Sequence, residues 1–67
     1  MNLDTGIRMQ IGLEFIDMIN EGMEPVDCLL YATSEGIEYP DAVWLVTRTL
    51  RLTDEAVEEM EEDYKRY

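Results

Sequence analysis

Thr5-Gly6-Ile7-Arg8-Met9-Gln10-Ile11-Gly12-Leu13-Glu14-Phe15-Ile16-Asp17-Met18-Ile19-Asn20 is the stretch on which the fold turns. Ile7, Met9, Ile11, Leu13 and Phe15 alternate as one face of a β-strand does. Ile7, Ile11, Phe15, Met18 and Ile19 also recur at the three- and four-residue spacing that lines one face of an α-helix. Gly6 and Gly12 weaken a helix. A lone strand, for its part, needs a partner, most simply the same strand of a second chain. A helix from about Thr5 to Asn20 is the preferred expectation, with Asp4 or Thr5 as its cap and Gly22 as its stop. An N-terminal strand pairing in a dimer is the alternative.

Outward from this segment, three further helices are expected. The second starts at Pro25, a favoured first helical position. It turns Val26, Leu29, Leu30 and Thr33 inward and stops at Gly36. The third starts at Pro40 with Asp41 at the positive end of the helix dipole. Its Ala42, Val43, Leu45, Val46 and Leu50 make it the most apolar segment, placed centrally. The fourth opens at Thr53, an N-cap, with Asp54 and Glu55 in its first turn and Leu52 and Val57 positioned as a hydrophobic staple. Ala56, Val57, Met60 and Tyr64, extended towards Tyr67, form a thin apolar stripe, and Lys65 and Arg66 stand at the negative end of the dipole. The expected fold is all-α: one domain, residues 1–67, a small bundle of three to four short helices.

Between the second and third segments, Ala32, Gly36, Ile37, Ala42 and Leu45 resemble the helix-turn-helix pattern. A small residue stands where helices touch, a glycine where the turn needs positive φ, and apolar positions follow on the next helix. The resemblance spans about Pro25 to Leu50 and implies a helix-turn-helix-like corner. Where DNA-reading members present basic or amide side chains, this chain has Glu38-Tyr39-Pro40-Asp41, with only Arg48 and Arg51 later in the helix.

Charge restricts function. Sixteen acidic residues face five basic ones and no histidine, a net charge of -11 over 67 residues. Such a chain repels phosphate, so direct nucleic-acid binding and anionic membranes are disfavoured and basic proteins are attracted. The longest apolar run, Ala42 to Val46, is too short to span a membrane. The 46% hydrophobic content supports a core rather than disorder. Cys28 is the single cysteine and reads as a small buried hydrophobe. With no signal peptide, it predicts a reducing, intracellular, cytoplasmic location.

Catalytic machinery is not expected. The chain lacks histidine for general base work, a glycine-rich phosphate loop and a partner to activate Cys28. No cofactor is implied, and the acidic run lacks the ligand spacing of a calcium loop. Glu55, Glu58, Glu59, Glu61, Glu62 and Asp63, together with Trp44 and Tyr39, are the expected partner-binding residues.

Three functions follow as expectations. The first is a non-enzymatic module docking on a larger basic protein, itself nucleic-acid-binding in the sharpest version. In size and composition the chain resembles the compact acidic antagonists that bacteriophages make against host nucleic-acid machinery, which implies an inhibitor or DNA mimic. The second is a self-associating structural protein, a homodimer, joined through the thin stripe of the last helix or the alternating Ile7–Phe15 segment. The third is a helix-turn-helix-like transcription regulator, with Arg48 and Arg51 on phosphate.

Overall fold

A computed structural model describes residues 5–67 as four helices: α1 Thr5–Asn20, α2 Pro25–Ser34, α3 Tyr39–Leu50 and α4 Asp54–Lys65. Asp4, the other candidate cap of α1, lies outside the described residues. The alternative of an N-terminal strand is overturned, because the whole segment from Thr5 to Asn20 is helical. The physical reason lies in the 100° turn per residue. It splits the five alternating residues between two faces of one helix. Ile11 and Phe15 point into the core, while Met9 and Leu13 are largely exposed on another side. Alternation here is two helical stripes interleaved, and between Thr5 and Asn20 no strand edge is left to pair.

The core draws on every helix: Ile11 and Phe15 of α1, Val26, Cys28, Leu29 and Ala32 of α2, Ala42, Leu45 and Val46 of α3, and Met60 of α4, with Ile37 from the α2–α3 turn. Cys28 and Ala32 complete the inward face of α2, where Leu30 and Thr33 are only half-buried. The Tyr31 ring meets Phe15 edge-on, with centroids 6.3 Å apart. α1 packs on α3 and α2, α2 on α3, and α4 chiefly on α2.

Three helix ends set these angles by the same device. At Gly22 and Gly36 the backbone takes φ +94°, and the N–H groups beyond it turn back onto the last helical carbonyls. Met23 N–H donates to Met18 and Ile37 N–H to Ala32, which buries Ile37 against the bundle. The third end carries no glycine in the sequence. Arg51 takes the left-handed conformation (φ 53°), and Leu52 N–H donates to Thr47. A side chain there is strained. Arg51→Gly is expected to stabilise the fold by about 1 kcal/mol, measured by urea denaturation. The start of α4 is as expected: Thr53 Oγ1 accepts from the Ala56 N–H at 3.1 Å.

Cys28 is fully buried, its Sγ 3.8 Å from the Phe15 carbonyl oxygen. Burial, reinforced by neighbouring Asp27, pushes its thiol up to about 11 from 9.0. The folded state therefore keeps a proton that the unfolded chain gives up near pH 9. The stability tied to that proton is fully present below pH 9 and is lost as pH rises towards 11. Tyr39 and Tyr31 are displaced upward too, both first by burial, and add to the same loss. A urea midpoint that falls as pH rises above 9 is the expected result. At neutral pH a thiol reagent should label Cys28 only at the rate at which the fold opens.

Candidate protein-binding surfaces

Two surfaces differ from an ordinary solvated exterior. The first is the outer face of α4. Glu55, Glu58, Glu59 and Glu62 follow one another at three- and four-residue steps, so they form one continuous stripe with neighbours about 5–6 Å apart at Cβ. All four are exposed. At 100° per residue this stripe lies opposite Val57, Met60 and Tyr64, which hold the helix to the bundle. Burying the apolar stripe therefore turns the carboxylates outward. Over its 12 residues α4 carries seven carboxylates against Lys65, a net -6.

The other sequence-predicted acids are partly engaged within the chain. Glu61 is half-buried and accepts a 3.1 Å hydrogen bond from the Tyr39 hydroxyl. Asp63, also half-buried, lies 3.7 Å from Arg66, and Glu62 lies 3.7 Å from Lys65 at the end of the stripe. The two ion pairs are open to solvent on their cationic side and contribute little. Tyr39 stacks at a tilt on Tyr64, with centroids 4.9 Å apart. The structure thus places Tyr39 as the tie between the start of α3 and α4, where it orients the acidic helix.

The second surface lies between α1 and α3. Met9, Leu13 and Ile16 expose 65%, 62% and 43% of their area, and Trp44 exposes 43%. Together with Thr5, Arg8, Gly12, Leu45 and Thr49 they line an open groove of about 420 Å³. The Arg48 guanidinium stacks over the Trp44 ring at 5.2 Å from its centroid. Trp44 is thus brought together with α1 residues and not with the acidic helix; among the described residues, α4 contributes nothing to the groove. Sequence reasoning missed Met9, Leu13 and Ile16 as surface residues. The signal was present, since these three keep an i, i+4, i+7 spacing offset from the core stripe.

Charge is unevenly divided between the two surfaces. α1 and α3 together carry Arg8 and Arg48 against Glu14, Asp17 and Asp41, a net -1 in a chain of -11. Among the described residues no three His, Cys, Asp or Glu side chains are placed to hold a metal ion, and no helix is long and apolar enough to cross a membrane. Compared with known proteins, the chain matches no family model, and no curated protein or solved structure is detectably similar to it.

Proposed function

We propose that this protein is a non-enzymatic binding module that docks on a larger basic protein through the outer face of α4. The observation that carries the proposal is the exposed stripe Glu55-Glu58-Glu59-Glu62, held opposite the stripe that anchors the helix. Carboxylates spaced along a rigid helix offer a basic groove a row of negative charge like that of a nucleic-acid backbone. An inhibitor that occupies a nucleic-acid-binding groove is the sharpest form of this function. Opposite charge accelerates such an association and makes it salt-sensitive. The helix-turn-helix-like corner favours this function over DNA regulation, because Glu38 and Asp41 flank the start of α3 and Tyr39 is bonded to Glu61.

The test is capture of partners from nuclease-treated lysate of the source cell or its host, at low and high salt. Wild type is compared with a chain carrying Glu55→Gln, Glu58→Gln, Glu59→Gln and Glu62→Gln. Glu61 is left intact because it receives the Tyr39 hydroxyl. A basic nucleic-acid-binding protein should be retained at low salt and released at high salt. The substituted chain should bind it roughly tenfold more weakly, since four solvent-exposed contacts of about 0.4 kcal/mol each come to about 1.5 kcal/mol. Equal affinity of the two chains would remove α4 as the docking face.

A further inference from the structure

We infer that the groove between α1 and α3 binds a single-chain aliphatic carboxylate, its head on Arg8 and its tail along Leu13 and Ile16. This stands apart from the acidic stripe of α4 and goes beyond the docking function proposed for it.

An orphaned donor is the first argument. Arg8 is half-buried, and its Nε is closed off from solvent with no hydrogen-bond partner. Its Nη2 donates only to the Thr5 hydroxyl, at a long 3.4 Å. Lys65 and Arg66 pair with carboxylates of α4, yet among the described residues Arg8 makes no ion pair in a chain of sixteen acids. A buried donor on a charged group is costly to leave unmade. A carboxylate answers it best, because the guanidinium fork offers Nε and a neighbouring Nη to the two oxygens together.

The surroundings of that donor supply the second argument. Met9, Leu13, Ile16 and Trp44 line the groove, and none of its described lining residues is a carboxylate. An apolar wall with a few polar groups, around a space of about 420 Å³, is the make-up of a small-ligand site. Those polar groups are not scattered: Thr5 and Arg8 stand towards the start of α1 and Ile16 towards its end. The helix rises about 16 Å between Thr5 and Ile16, the reach of an extended acid of about ten to twelve carbons.

Charge selects the occupant. A basic partner would meet Arg8 and the adjoining Arg48, which stacks over Trp44. An acidic protein or an anionic membrane would bring many negative charges to a chain of -11. An aliphatic acid brings a single charge, which Arg8 opposes, and takes the rest of its affinity from the apolar tail.

Titration with sodium decanoate below its micelle concentration tests this, read by calorimetry and by the fluorescence of Trp44, the single tryptophan. Saturable one-to-one binding with a change in Trp44 emission is expected. Hexanoate should bind at least tenfold more weakly, since each fully buried methylene is worth about fourfold. Arg8→Met keeps an apolar stem at a half-exposed position, so the circular dichroism spectrum should not change. It should weaken decanoate at least tenfold and leave the affinity for uncharged decanol unaltered. Substituting the four glutamates of the α4 stripe should not weaken decanoate binding, which separates this test from that of the docking face. No response of Trp44 up to the micelle concentration, binding that does not saturate, or an Arg8→Met chain that holds decanoate as well as wild type would each overturn the inference. So would an equal loss of decanoate and decanol in that variant, because the guanidinium would then play no part.

Discussion

Phe15→Ala is expected to cost about 3–5 kcal/mol, enough to unfold most of a domain whose total stability is about 3–10 kcal/mol. Phe15 is fully buried, closes against the edge of Tyr31 and stands over the Cys28 thiol through its carbonyl. Leu13→Ala, two residues away, should change stability by about 0.5 kcal/mol or less in the monomer, because Leu13 is 62% exposed. Urea denaturation of both variants at low protein concentration measures the pair. On one face of a strand, neighbours at i and i+2 would be lost at similar cost. The large asymmetry is the energetic signature of the helix, and equal losses would contradict it.

Met60→Ala is the second large effect, about 2–4 kcal/mol. Met60 is 2% exposed and is the only fully inward side chain of α4, the helix otherwise being held by half-buried Ala56, Val57 and Tyr64. A helix of 12 residues is marginal in water without such packing. The four glutamates of the exposed stripe repel one another and add to the tendency to leave. The variant should lose the helical circular dichroism of α4 at a lower temperature than that of α1–α3. High salt should partly restore it. Because the proposed docking face requires α4 to be folded and anchored, Met60→Ala should also weaken partner capture although Met60 is itself buried. A single, unshifted transition in this variant would show that α4 is held by something other than its thin stripe.

These two positions also show what was legible beforehand. Phe15 and Met60 both belong to apolar stripes visible in the sequence, and the turns at Gly22 and Gly36 were readable because positive φ there calls for glycine. The end of α3 was not: Arg51 adopts a glycine-like conformation, and only the packing of Leu52 and α4 behind it supplies the reason. Tyr39 was legible as an aromatic near a corner. Its bond to Glu61, 22 residues away, depends on where α4 lies across the bundle.

Composition and periodicity alone determined an acidic chain, three helical segments after Gly22, the buried cysteine and an outward row of glutamates, because each rests on local chemistry or on a 3.6-residue repeat; for Thr5 to Asn20 they left a helix preferred and a strand open, and the structure decided it. Tertiary structure alone decided which of the two apolar stripes of α1 is core and which is surface. A helix can bury only the side that faces its neighbours, and α2 and α3 pack against the side of Ile11 and Phe15. Met9, Leu13 and Ile16 are as apolar as the buried stripe. They are left beside Trp44 by geometry, and that placement creates the groove.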